Sequence, residues 1–133
     1  MAAPSDSELE LLKVFWRTGS MSAREVQDAL PRELGWAGST TRTVLERMRA
    51  KGLLTRRSVH GMAVYAPAQN KVSVIGDALR HMLRGVLEID RDLPAAAFAA
   101  SPLLSADDLK ALEAILNSEP KGEGPTIAPE DKA

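Results

Sequence analysis

Cysteine is absent from the 133 residues. Disulfides, thiolate metal sites and cysteine nucleophiles are therefore excluded, and a reducing cytoplasm is the expected location. Aromatic residues amount to only 4%, so Leu, Val, Ile, Met and Ala must fill any core, for which a hydrophobic fraction of 44% is enough. Nowhere do roughly eighteen apolar residues run together, and the opening MAAPSDSE lacks a basic stretch followed by an apolar one; neither membrane insertion nor a secretory leader is expected. Histidine occurs twice, as His60 and His81, each without a second ligand four residues on. No metal and no cofactor are expected, short of a symmetric His81 pair across a dimer. Glycine-rich phosphate loops and the nucleophile elbow are missing as well. The carboxylates Asp107-Asp108 and Asp90/Asp92 fit a helix start and a helix end better than acid–base chemistry. An enzyme is not expected.

The net charge of −1 hides an uneven distribution. Residues 1–70 carry ten Lys/Arg against seven Asp/Glu, while residues 71–133 carry seven against eleven. Between Ser39 and Arg57 six cations (Arg42, Arg47, Arg49, Lys51, Arg56, Arg57) face one acid, Glu46. Such a local cationic patch is what a phosphate-binding surface needs.

That patch coincides with the best-defined amphipathic segment, GSTTRTVLERMRAKG from Gly38 to Gly52. At helical spacing Thr41, Val44, Leu45 and Met48 share an inner side, and Ser39, Arg42, Thr43, Glu46, Arg47 and Ala50 an outer one. Gly38 or Ser39 would cap the start, and Gly52 supplies a left-handed end. Two helices are expected before it. Ser5-Asp-Ser-Glu8 is a capping box, with Ser7–Glu10 as an alternative, opening a helix to about Arg17 whose stripe is Leu9, Leu12, Phe15 and Trp16. Ser22-Ala-Arg-Glu25 opens a second, Ala23 to Leu30, burying Val26, Ala29 and Leu30 before Pro31 stops it. Trp36 is expected to plug the joint with the third. After Gly52 the period becomes extended: residues 53–59 and 62–66 flank His60-Gly61, a turn dipeptide, giving a β-hairpin. Three helices and a ribbon make a winged helix-turn-helix over residues 5–70, with Arg56, Arg57 and His60 on the wing.

The run Trp36-Ala-Gly-Ser-Thr40-Thr-Arg42-Thr43-Val-Leu-Glu-Arg47 resembles the W-x-x-x-T-[apolar]-R-T-[apolar]-[apolar]-x-R segment of BlaI/MecI-type penicillinase repressors. Glu8 to Trp16 resembles their first helix and Ser22 to Val26 their second, and the likeness extends from about Ser5 to Tyr65 and more faintly to Asn117. The resemblance implies a homodimeric repressor that places its third helix in the major groove of a palindromic operator in double-stranded DNA. Thr41 departs from it, standing where the family usually has an aliphatic residue. Glu46 on the groove side could accept from a cytosine amine or repel phosphate. On this reading Thr40, Arg42 and Thr43 read bases with Ser39 and Arg47 beside them, and Lys51, Arg56, Arg57 and His60 bind phosphates.

From Lys71 to about Leu93 a third pattern begins. Ile75, Leu79, Met82, Val86, Ile89 and Leu93 step by four and three, broadened by Ala78, Leu83 and Leu87. A helix so apolar is expected to interleave with a partner's helices, or to pack on the chain's own winged domain. Gly85 weakens its middle. Residues 94–102 form a small-residue connector with one helical turn, and Ser105-Ala-Asp-Asp108 caps a last helix, Ala106 to about Ser118, carrying Leu109, Leu112, Ile115 and Leu116. Residues 71–118 thus read as a helical dimerisation region, with Ile75, Leu79, Met82, Leu83, Val86, Ile89, Leu109, Leu112 and Leu116 at its contacts. In the resembled repressors an Asn–Phe bond in this region is cut through a membrane-sensor protease pathway; Ala97-Phe98 falls at that place without the Asn, and Phe98 also reads as a core anchor. Residues 119–133, with three prolines and two glycines, are expected to be disordered. A reading from a different class is a winged-helix adaptor that binds protein and recognises no DNA sequence.

Overall fold

In a computed structural model of the protein, residues 4–118 are described; the tail expected to be disordered lies outside them. The elements are α1 (Asp6–Thr18), β1 (Met21–Ser22), α2 (Ala23–Ala29), α3 (Gly38–Ala50), β2 (Leu54–Val59), β3 (Met62–Pro67), α4 (Lys71–Arg80) and α5 (Ala106–Leu116). Short 3-10 turns cover Arg32–Leu34 and Ala95–Phe98, and a π-helical stretch covers His81–Val86. No helix among the described residues is long and apolar enough to cross a membrane. The chain divides into two compact units, Met1–Lys71 and Val72–Ala133.

The first unit is a winged helix. Both expected capping boxes form: the Ser5 hydroxyl accepts from the Glu8 amide while the Ser5 amide donates to the Glu8 carboxylate at 2.9 Å, and Ser22 and Glu25 repeat the arrangement at 2.8 Å. These side chains satisfy amides that the first helical turn leaves without partners. Leu30, just before Pro31, is extended and ends α2. The two residues of β1 pair with β3, and β3 pairs with β2, all antiparallel, in the order β1-β3-β2. At the hairpin tip His60 and Gly61 both have positive φ, 52° and 78°, the backbone of a tight two-residue turn whose twist matches the strands.

The core of this unit contains Leu11, Leu12, Val14 and Phe15 of α1, Met21, Val26 of α2, Val44, Leu45 and Met48 of α3, and Leu53, Leu54 and Tyr65. On α1 Leu12 and Phe15 of the expected stripe are buried together with Leu11 and Val14, while Leu9 and Trp16 are half-buried and Glu8 is buried in their place. Lys51 donates to Glu8 at 2.7 Å and gives the buried carboxylate a partner inside the fold. Ala29 of α2 is exposed and Leu30 half-buried, because that helix is only seven residues long and turns one position, Val26, fully inward.

The second unit is built on α4 and α5. Val72, Ala95, Leu112 and Leu116 form its buried cluster, with Ile75, Leu79, Leu83, Phe98, Leu104, Leu109 and Ile115 packed against it. Gly76 lets the two helices approach closely: a Cβ there would sit 2.7 Å from Ile115 Cγ2. The Ser105/Asp108 capping box opens α5. At the other end of α5, Arg80 donates to the Ile115 carbonyl at 2.6 Å and to the Ser118 hydroxyl, and Arg84 donates to the Leu116 carbonyl at 3.2 Å. Cations on the last carbonyls also suit the negative end of the helix dipole.

The expected long helix to Leu93 is not continuous. Its regular part ends at Arg80, the π-helical turn closes with the Leu87 amide on the Met82 carbonyl at 2.9 Å, and Glu88 then takes a positive φ of 57°. Gly85 lies in this turn with the His81 ring against it, at 3.1 Å from where a Cβ would stand. A residue of low helix propensity at that point removes little by leaving the helical ladder. The chain beyond is held by α5: Asn117 bonds both backbone groups of Leu93, and Glu113 accepts from the Ala95 amide at 2.8 Å.

Candidate nucleic-acid interface

Helix α3 turns inward the four residues its periodicity predicts, Thr41, Val44, Leu45 and Met48. Thr41 is 0% exposed yet polar, and its hydroxyl donates to the Gln27 side-chain oxygen; the Gln27 amide in turn donates to the Trp36 carbonyl at 2.7 Å. One glutamine thus braces α2, the connecting turn and α3, and a buried hydroxyl that would be costly alone is satisfied. Trp36 is half-buried, so its backbone, held by Gln27, does the joining expected of its ring.

The start of α3 differs from expectation. Ala37 is the N-cap, Gly38 and Ser39 are already helical, and no side chain caps the first-turn amides. Its end is a full left-handed cap: Gly52, at φ 84°, donates to Arg49, and the Leu53 amide donates to the Met48 carbonyl at 2.9 Å. Ser39, Thr40, Thr43, Val44 and Arg47 line a shallow depression on the outer side. The Thr43 hydroxyl donates to the Ser39 carbonyl at 3.0 Å, which leaves its methyl and lone pairs, not its proton, for a ligand.

Of the six cations between Ser39 and Arg57, three are engaged within the fold. Lys51 pairs with Glu8, a residue only 3% exposed. Burial would raise the Glu8 pKa, but the Lys51 bond and the Ser5 amide outweigh it and hold the group below its usual value. Arg49 donates twice to Glu46 Oε1, at 2.9 and 3.1 Å, and Arg56 Nη1 donates to Oε2 at 2.7 Å. The Tyr65 hydroxyl donates to the same Oε2. The Arg49 and Tyr65 bonds, then the charges of Arg49 and Arg56, hold the Glu46 carboxyl down to about 2. Burial and the Glu46 contact push the Tyr65 phenol up.

Lys51 and Arg56, expected on phosphates, therefore have carboxylate partners, because Glu8 and Glu46 reach them across 43 and 10 residues of sequence. Glu46, open between base reading and repulsion, turns instead to its own fold. Arg42, Arg47 and Arg57 are exposed and make no side-chain hydrogen bond or ion pair with any of the described residues. Successive strand residues point to opposite faces, so Arg57 lies on the other side of the ribbon from the Arg56–Glu46 contact. His60 stands exposed at the hairpin tip.

The family model of the penicillinase repressor matches residues 4–118. The chain belongs to the penicillinase repressor family. Over 63 residues it is 36% identical to a penicillinase repressor of Bacillus licheniformis, an alignment covering 47% of this chain and 49% of that protein. The chain thus spans about half the length of that relative. A Latilactobacillus sakei protein described as an uncharacterized 16.5 kDa protein in the ptsI 3′ region is 22% identical over 113 residues, 85% of this chain and 77% of that one. In this family member the second unit places the expected contact residues in two groups. Leu112 and Leu116 are buried in the unit's own core, and Ile75, Leu79, Leu83 and Leu109 pack against it. Met82 and Val86 are 48% and 56% exposed, joined by Leu87 at 57%; Ile89 is half-buried beyond the π-helical turn. Ala97 is exposed on the 3-10 turn, and Phe98 packs on the core as an anchor. Among the described residues no group of three or more His, Cys, Asp or Glu could hold a metal ion.

The residues that sequence reasoning missed are Gln27, Arg49 and Tyr65. The lone acid in a basic run was a signal for the last two; nothing in spacing points to Gln27.

Proposed function

We propose that this chain is a homodimeric DNA-binding transcriptional repressor, each copy placing α3 in the major groove of a palindromic operator with its wing beside the flanking backbone. The observation that carries the reading is the outer side of α3 in a member of this family. It presents Thr40, Arg42 and Arg47, with both arginines unpaired among the described residues, on a helix whose inner side is fully buried. Arginine donates two bonds to a guanine edge, and threonine packs on a thymine methyl. Arg57 and His60 supply charge and a donor to phosphates. Ser39 and Thr43 border the same groove.

Met82 and Val86, with Leu87 beside them, support a self-contact in the second unit, since large apolar side chains so exposed favour burial on a partner. Two copies would set half-sites about one helical turn, roughly 10 bp, apart or a multiple of that. Release by proteolysis at Ala97-Phe98 is consistent with the core's construction. Val72 and Ala95 precede that bond and Leu112 and Leu116 follow it, so a cut separates the cluster into two pieces.

Footprinting on genomic fragments with purified protein tests the DNA reading, and sedimentation tests the dimer. Replacing Arg42 by Ala is expected to cost about 1–3 kcal/mol and relax preference at one base pair. Absence of any footprint would favour the adaptor reading, whereas full binding of the footprinted fragment by the Arg42 variant would show that Arg42 reads no base. Two fragments joined near Phe98 after induction would support proteolytic release, and an intact chain would reject it.

A further inference from the structure

The cationic surface is smaller than the sequence indicates: Glu8 engages Lys51, and Glu46 engages both Arg49 and Arg56. Glu46 lies on the outer side of α3 between the unpaired Arg42 and Arg47, yet both of its oxygens are filled from within the fold. Arg49 comes from its own helix. Arg56 and Tyr65 come from β2 and β3, where they stand directly opposite each other in the register. A single carboxylate of the recognition helix therefore grips both strands of the wing at one rung and engages two arginines at once, one negative charge against two positive ones.

We propose that Glu46 is a positioning and specificity-determining residue: it ties the wing to α3 and withholds Arg49 and Arg56 from phosphates, so that duplex of arbitrary sequence is held weakly. The proposal rests on the DNA-binding reading above. Non-specific affinity comes almost wholly from neutralised phosphates, each contributing about 0.9 to the slope of log affinity against log salt. Two arginines bound to one carboxylate are turned away from phosphates and share one net positive charge, so they add less to that slope than two free ones. The bases are then read by Arg42 and Thr40, whose contacts do not depend on the withheld charge, and the ratio of operator to random binding rises as the electrostatic background falls.

Salt titrations on a short duplex of unrelated sequence and on the footprinted fragment test this. Glu46→Gln is expected to steepen the slope on the unrelated duplex by about 0.9 for each arginine freed. Its affinity there should rise on the order of tenfold near 0.1 M salt, while the footprinted fragment gains less and the ratio between the two shrinks. Arg56→Gln in the otherwise unchanged protein should leave the slope where it was, whereas Arg47→Gln should lower it by about 0.9. The double variant Glu46→Gln/Arg56→Gln should lose the increment due to Arg56. A Glu46→Gln protein that binds both duplexes more weakly with an unchanged slope would reduce Glu46 to a structural support and overturn the proposal. An Arg56→Gln protein whose slope falls by a full phosphate would overturn it too, and does so even if Glu46→Gln fails to fold. Unsubstituted protein that binds neither duplex would overturn the DNA-binding reading itself, a result distinct from either of those.

Discussion

The two compact units solve the same problem, satisfying polar groups inside a small fold, by different means. In the winged unit side chains meet side chains from distant elements: Glu8 with Lys51, Thr41 with Gln27, Glu46 with Arg56 and Tyr65. In the helical unit, side chains mostly hold backbone: Arg80 and Arg84 on the carbonyls ending α5, Asn117 on Leu93 and Glu113 on Ala95. Ties of the first kind fix the position of one element against another, which suits a surface that must present a few groups at set distances. Ties of the second kind close helix ends and loops, and in that unit three large apolar side chains remain exposed. The contrast is between a unit whose elements are tied to one another side chain to side chain and a unit whose ties close its own helix ends and loops while Met82, Val86 and Leu87 stay in solvent.

Core truncation is the strongest way to break that contrast. Leu45 of the winged unit and Leu112 of the helical unit are both wholly buried. Replacing either by Ala is expected to cost about 2–5 kcal/mol, through lost burial and the cavity left behind. Leu112 belongs to a cluster of only four buried residues, so its loss should remove the helical unit's transition in urea unfolding followed by circular dichroism. The Leu45 variant should instead weaken the winged unit. Identical single transitions shifted equally by both substitutions would show that the two units are not held separately.

A second test sharpens the account of the winged unit. Thr41→Val keeps the shape and removes the hydroxyl, leaving the Gln27 oxygen without its donor. The expected cost is about 0.5–1.5 kcal/mol, the worth of one intramolecular hydrogen bond, since Gln27 is only half-buried. Adding Gln27→Leu should then cost much less than it does alone, because the partner is already gone. Strict additivity in the double-mutant cycle, read by denaturant unfolding, would mean that the pair does not brace α2 against α3.

What could be read from the sequence, and what could not, divides along the same line. Capping boxes at Ser5, Ser22 and Ser105 need only residues three apart, and the inner side of α3 needs only a period. The His60-Gly61 turn is likewise local. All of these are legible because the physics that forms them acts over a few residues. The partners of Lys51 and Arg56 are not, since a period assigns a side chain to a face without naming what crosses to meet it. For the candidate site this means that the exposed Arg42 and Arg47 are readable and the engagement of Lys51, Arg49 and Arg56 is not. In the second unit the apolar residues follow the helical period past Val86, but the chain leaves the helix there. A π-helical turn depends on Gly85, on His81 packed against it and on α5 holding Leu93 and Ala95, and only the glycine is visible beforehand.

The smallest expected effect separates the tie at Glu46 from a mere surface contact. Its carboxyl is held down to about 2 by Arg49, Tyr65 and Arg56, against an ordinary value of 4.5. A group whose folded pKa is depressed contributes stability above its unfolded value and loses it as pH falls through the folded one. The stability difference between the unsubstituted protein and Glu46→Gln should therefore be constant above about pH 5. It should shrink from pH 4.5 downward and be gone by about pH 2. The side chain is 37% exposed, so solvent screens the pair and the difference stays below those of the two core tests. Added salt should reduce it further at neutral pH. Glu8 is lowered as well and titrates in both proteins, so only the difference between them reports on Glu46. A difference that does not change between pH 6 and pH 2.5 would show that the carboxylate's charge does not hold the wing to α3, and that shape alone keeps the two together.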